Sequence, residues 1–140
     1  MTSDSPVRFE DISVGQSLPT LRAEVTTSSI ITSAIATRDF HPIHHDLDVA
    51  RNLGHPALFL NIFSSAAYLE RFVSEWAGPV ARLSKMSIRL GAPCYAGNTL
   101  RIEGTVSASG ATPIRWVEIE MHAYGNEIVH ASGAIRLEWP

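Results

Sequence analysis

Between Asp39 and Asp46 the chain reads Asp-Phe-His-Pro-Ile-His-His-Asp. Asp39, His41 and His44 fall within six residues, with His45 and Asp46 beside them. A carboxylate and an imidazole make a general acid/base pair, because their surroundings can set their pKa values on either side of neutrality. The same residue types allow a plainer reading, in which Asp39 caps a turn and the histidines stay on an exposed loop. Asp39, His41, His44 and His45 could also be drawn on as metal ligands. No cysteine completes a tetrahedral zinc spacing and Pro42 restricts the segment, so no metal is expected.

The flanking sequence says how such groups could be held. Pro42 ends any helix and biases His41 to an extended backbone. Upstream, Leu21, Ala23 and Val25 alternate with polar residues, the period of a half-buried strand. Thr27, Ser28 and Ser29 are N-cap candidates, and Ile30, Ile31, Ala34 and Ile35 predict a short helix over about 29–37. Downstream, Asp46 can cap a second short helix reaching about Asn52, ended by Gly54. The longest helix is predicted over about 61–75, before Gly78-Pro79, with Ile62, Ala66, Leu69, Phe72, Val73 and Trp76 on its apolar face. Ser64 to Ala67 make its first turns slim, which suits close helix–sheet packing or room for a bulky ligand. The remainder reads as strands over about 82–90, 100–106, 114–124 and 128–137, separated by turn signals such as Gly97-Asn98 and Gly125-Asn126. One strand, helices, then four strands predict an α+β domain whose antiparallel sheet wraps the long helix. Edges of such a sheet invite pairing between subunits.

The chain's 140 residues suit one domain, expected over 9–140 behind a loose tail at 1–8. A net charge of −3 gives no basic field for nucleic acid. An anionic ligand would need local cations. Lys85 and Arg89, with Arg82, are the candidates, although solvated strand charges are the commoner role. The single cysteine, Cys94, can make no internal disulfide and no thiolate cluster. With the polar start Met1–Arg8, this fits a cytoplasmic setting. The nearly apolar run Pro56–Phe63 is too short to span a membrane.

The segment Ala36-Thr37-Arg38-Asp39-Phe40-His41-Pro42-Ile43-His44-His45-Asp46, with Ala50 and Gly54 after it, resembles the motif of the MaoC-like (R)-specific enoyl-CoA hydratases. In that family the motif runs roughly Ser/Thr-Gly-Asp-x-Asn-Pro-Ile-His-x-Asp. Pro93 to Leu100 is similar to the family's strand entry, so the likeness spans most of the chain from Phe9 onward. The resemblance implies a hotdog fold, a sheet wrapped around a central helix. It implies hydration of a trans-2-enoyl-CoA to a 3-hydroxyacyl-CoA, with Asp39 and His44 jointly activating one water. It implies no cofactor, since the CoA thioester is the substrate, and a homodimer or a heteromer with a second MaoC-like hotdog chain.

Hydration needs a base for the attacking water, an acid for the α-carbon, and donors for the charge that grows on the thioester oxygen. Asn61-Ile62 stand where the family has His-Gly, whose Gly N–H polarises that oxygen, so Ile62 inherits the backbone donor and Asn61 a thioester-positioning place. Arg38, Phe40 and His41 are expected to line the site. Arg38 and His41 depart from the family's Gly and Asn. Together with Trp76-Ala77-Gly78-Pro79, these departures look like the small MaoC-like subunits of actinobacterial steroid side-chain hydratases, which implies a bulky acyl group. Two alternatives stay open. One is a non-catalytic acyl-CoA-binding subunit, motivated by those departures. The other is a hotdog thioesterase, for which Glu70 is the one early helix carboxylate. His122 and His130 read as cross-strand or surface residues, and Cys94 as an incidental thiol.

Overall fold

The computed structural model describes residues 6–140. Of the tail expected over 1–8, residues 6–8 are coil leading into a 3-10 turn at Phe9–Asp11, and the rest lies outside the described residues. Then come β1 (Leu21–Glu24), α1 (Thr27–Ala36), a 3-10 turn at Pro42–His44, α2 (Leu47–Asn52), α3 (Ile62–Ala77), β2 (Arg82–Leu90), β3 (Thr99–Gly110), β4 (Arg115–Gly125) and β5 (Ile128–Trp139). The strands form one five-stranded sheet in the order β1-β3-β4-β5-β2, antiparallel at every pairing. This is the expected α+β arrangement of a sheet with one long helix.

The core lies between α3 and the sheet. On β4, Val117, Ile119, Met121 and Ala123 are all buried, the period-two signature of one inward face. On α3 the buried residues are Ser64, Ser65, Leu69, Phe72, Val73 and Ala77. The apolar stripe read from the sequence is thus rotated. Ile62 is exposed, Ala66 and Trp76 are half-buried, and two serines take the innermost places near the helix start. Hydrophobic residues alone misplace the face here, because the serines find polar partners inside. Phe72 packs so closely on β3 that a Cβ at Gly104 would lie 2.8 Å from its ring. A side chain there would push the helix off the sheet.

Helix starts follow the sequence with small shifts. α1 begins two residues before the expected position, because Thr26 and Ser29 form a reciprocal capping box. Pro42 does not simply end a helix. It opens the 3-10 turn at its first position, where a fixed φ is an asset. Asp46 caps α2 through its carboxylate, bonding the N–H groups of Asp48 and Val49.

The C-terminus of α1 decides where Asp39 stands. Arg38 is in the left-handed region at φ 56. Its N–H donates to Ile35 O at 3.0 Å, and the Asp39 N–H donates to Ala34 O at 2.9 Å. This six-to-one pairing is the Schellman motif, normally closed by glycine. α2 ends the same way, with Gly54 at φ 92 and the His55 N–H donating to Ala50 O. The glycine that the resembled family carries before the Asp would take this shape without strain. Arg38 holds the same shape at a cost of about 1 kcal/mol. Arg38→Gly should therefore raise stability, by up to about 1 kcal/mol after the extra chain entropy of glycine is counted. Thermal unfolding followed by circular dichroism checks this; a lowered midpoint would contradict it.

Candidate active site

Asp39 and His44 face each other across the turn that Pro42 opens. His44 Nε2 lies 3.5 Å from Asp39 Oδ2, and the two side chains keep 10% and 23% of their surface. His44 Nδ1 is 2.9 Å from Phe59 O. A carbonyl only accepts, so Nδ1 carries the hydrogen, and whenever the ring is neutral Nε2 turns a lone pair toward Asp39. Phe59 also packs edge-on against the His44 ring, with centroids 5.0 Å apart. The imidazole is thereby held in both position and tautomer.

Asp39 is held by Asn61. The Asn61 amide donates to Asp39 Oδ2 at 2.9 Å and to Thr37 Oγ1 at 3.0 Å. Its oxygen accepts the Ser64 N–H at 2.8 Å and also meets the Ser64 hydroxyl, which lies 2.7 Å from that of Ser33. Reversing the amide would set acceptor against acceptor at Asp39 and donor against donor at Ser64. Its orientation is therefore fixed by chemistry. The His41 N–H adds a longer bond to Asp39 Oδ1, at 3.3 Å.

The hydrogen bond from Asn61 is the main reason the Asp39 carboxyl sits below its ordinary range. Burial opposes it, and the His41 N–H and the neighbouring imidazoles add to it. Asn61→Ala removes that donor and the cap on α3. The acid limb of any Asp39-dependent activity should then move to higher pH, and stability should fall by about 1–2 kcal/mol. The sign follows from linkage: a lowered folded pKa adds stability above the ordinary carboxylate range, lost as pH falls through the folded value. A pH profile of activity with paired unfolding curves tests both, and an unmoved acid limb would refute the first.

The comparisons with known proteins follow the same lines. A MaoC-like domain model matches residues 10–127. The chain belongs to the MaoC-like family. Within it, the chain is 40% identical over 95 residues to the beta subunit of 3-oxo-4,17-pregnadiene-20-carboxyl-CoA hydratase from Mycobacterium tuberculosis, covering 68% of this chain and 74% of that subunit. A chain of the ChsH1-ChsH2 complex from Mycobacterium tuberculosis superposes with a TM-score of 0.86 at 31% identity, covering 91% of this chain and 98% of that one. The (R)-hydratase of A. caviae involved in PHA biosynthesis superposes at 0.85 over 94% and 99% of the two chains. At 16% identity it speaks for the shared hotdog fold alone.

The MaoC-like motif residues are distributed unevenly around this centre. Asp39, His44 and Asn61 come together, and Ile62 opens α3 next to them. The Asn61 side chain bonds Asp39 and caps α3. The Ile62 and Phe63 N–H groups, in the first turn of α3, have no partner among the described residues. His41, in the place of the family's Asn, caps the 3-10 turn: its Nδ1 accepts the Ile43 N–H at 3.2 Å. Arg38 contributes its backbone shape while its side chain is exposed. The Phe40 ring is 65% exposed and does not anchor the loop in the core. Lys85 and Arg89 lie exposed on β2 and form no ion pair among the described residues. Glu70, the thioesterase candidate, is exposed on α3. Cys94 is buried and its thiol is pushed up to about 11 by desolvation, so it is no nucleophile.

Three partners are not readable from the sequence. Thr37 belongs to the motif without an assigned task, and its hydroxyl takes one Asn61 hydrogen. The Phe59 carbonyl leaves no trace in residue identity, since any residue could supply it. His130, expected at a surface or cross-strand position, is instead buried, with 3% of its surface exposed.

Proposed function

We propose that the chain adds water to a trans-2-enoyl-CoA to give an (R)-3-hydroxyacyl-CoA, with Asp39 and His44 as the catalytic pair. The observation that carries this is the carboxylate and imidazole facing each other across the turn. The Asp39 carboxylate and His44 Nε2 lie 3.5 Å apart, and with the ring in its neutral form they are two acceptors that cannot hydrogen-bond each other. One water donating a hydrogen to each satisfies both. Such a water has its oxygen lone pairs free for the β-carbon of an enoyl thioester. As the C–O bond forms, the pair takes one proton from the water and returns it to the α-carbon. Atoms therefore balance as water across the double bond. Negative charge grows on the thioester oxygen meanwhile. The backbone N–H of Ile62, at the positive end of the sixteen-residue α3, is the donor assigned to it. Run backward, the same groups dehydrate.

The reading needs no bound cofactor, because the CoA thioester is itself the substrate. Lys85 and Arg89 are the cations assigned to its phosphates. A second MaoC-like hotdog chain is the partner assigned, supported by the likeness to one chain of the ChsH1-ChsH2 complex. Exposed Phe40, Ile62 and Phe63 beside the pair give that partner or a bulky acyl group an apolar surface to cover. The similarity to a steroid-CoA hydratase subunit supports a ring-bearing acyl group.

The test is an assay of the chain, alone and with the chain that co-purifies from its native host, against a panel of 2-enoyl-CoA esters. Loss of the conjugated thioester's ultraviolet absorbance, with 3-hydroxyacyl-CoA identified by mass, is the expected result. Acyl-CoA binding without turnover with any partner would leave a non-catalytic subunit instead. Release of free thiol would leave a thioesterase.

A further inference from the structure

A second histidine sits beneath the site without touching it. His130 falls where β5 has one residue more than its partner. Ala123 pairs with Ala131, but Tyr124 pairs with Val129, so His130 is the bulged residue. A bulge re-aims a side chain, and here His130 and Ala131 are both buried although adjacent on a strand. The Gly91 N–H donates to His130 O at 2.7 Å, closing the backbone around the bulge. His130 Nδ1 lies 2.7 Å from Ala92 O, and Nε2 lies 2.8 Å from the Ser65 hydroxyl. The carbonyl must accept, so Nδ1 donates and Nε2 accepts from Ser65.

Ser65 is in the first turn of α3, four residues after Asn61. Its N–H donates to Asn61 O at 3.1 Å, and its hydroxyl is 3.1 Å from the same oxygen. By taking the hydroxyl hydrogen, His130 leaves that carbonyl to its helical bond. The Ser65–His130 bond thereby ties the first turn of α3 to β5. Asn61 is the residue whose side chain orients Asp39. Desolvation of the His130 ring disfavours its charged form, which agrees with a neutral, accepting Nε2.

We infer that His130 is a positioning residue for the Asp39–His44 pair, fixing the first turn of α3 through Ser65 and so setting Asn61 against Asp39. The inference deepens the hydratase reading and rests on it for its kinetic arm alone. His130→Asn keeps a donor for Ala92 O and lacks the acceptor for Ser65. His130→Gln can place an amide oxygen near the lost Nε2. Ser65→Ala removes the hydroxyl with little change in volume.

In the chain with its co-purifying partner, Ser65→Ala and His130→Asn should each lower kcat about 10- to 100-fold with KM little changed, the scale of a small misplacement of reacting groups. Their acid limbs should move to higher pH, as Asp39 loses its Asn61 bond. The double variant should cost no more than either single one, and His130→Gln should recover much of the loss. Carbon-13 NMR titration of the Asp39 carboxyl in the same variants needs no turnover, and it should show the same upward movement. If the wild type hydrates nothing while this titration still moves, the hydratase reading falls and the positioning role stands. An unmoved Asp39 titration in Ser65→Ala, or His130→Gln as impaired as His130→Asn, would overturn the positioning role. Ser65→Ala, the mildest change, decides the matter even if the His130 variants do not fold.

Discussion

Asp39→Asn should lower kcat by about two to four orders of magnitude while leaving the fold intact, the usual contribution of a placed acid/base group. The substitution is nearly isosteric. The new side-chain amide can still accept from Asn61 through its own oxygen, so the backbone turn and the α3 cap have no reason to move. What disappears is the negative charge and its capacity to hold a proton. His44→Ala should cost as much or more in rate. It also leaves the Phe59 carbonyl without the donor it has at 2.9 Å and removes a ring from against Phe59. A loss of stability of about 1–3 kcal/mol is therefore expected with it. Asp39→Asn is the cleaner test for that reason. If one water is shared, the two residues act as a unit, and the double variant should be scarcely slower than the worse single one. Steady-state rates on the best enoyl-CoA of the panel, with circular dichroism on each variant, measure all of this. Rates near wild type in both single variants would leave the pair as a structural hydrogen-bonded turn.

Much of this arrangement is legible in the sequence, and the reason is local. The spacing Asp39-x-His41-Pro42-x-His44 is a turn whose geometry is set by residues within it. Pro42 fixes its start, His41 caps it, and Asp46 begins the next helix. Such features survive in sequence because short-range chemistry dictates them. Asn61 marks a helix start for a similar reason. What stays hidden depends on contacts between distant segments. The tautomer of His44 is set by the backbone of Phe59, fifteen residues away, and that of His130 by Ala92 across the sheet. The inward turn of His130 arises from a bulge, a change of strand register that alternation cannot reveal. Hydrophobicity misreads the α3 face for a related reason, since Ser64 and Ser65 are innermost only because Ser33 and His130 satisfy them. Arg38 lies between these cases. Its departure from the family's Gly is visible, but its meaning as a left-handed helix end needs the φ of 56.

Ile62→Pro is the second change from which a large effect is expected. Proline removes the backbone N–H and almost nothing else at this position. Ile62 is the first residue of α3, where a proline's fixed φ fits and no intrahelical bond is lost. Asn61 before it has φ −77 and ψ 167, the extended shape that a following proline demands. The Ile62 side chain is 48% exposed, so its replacement removes little core. The variant should therefore fold with a near-normal midpoint. If the N–H of Ile62 receives the charge on the thioester oxygen, kcat should fall about 100- to 1,000-fold, as for removal of one such donor in other enzymes. KM should change less, since the bond strengthens as the charge grows. Ile62→Ala keeps the donor and should lose far less rate. A proline variant that turns over as fast as the alanine variant would move the oxyanion role elsewhere, most simply to the Phe63 N–H next along the helix. That group points from the same positive helix end and likewise has no partner among the described residues. Phe63→Pro cannot test it as cleanly, because proline in the second position would bring its ring against Ile62 and force that residue out of its helical shape.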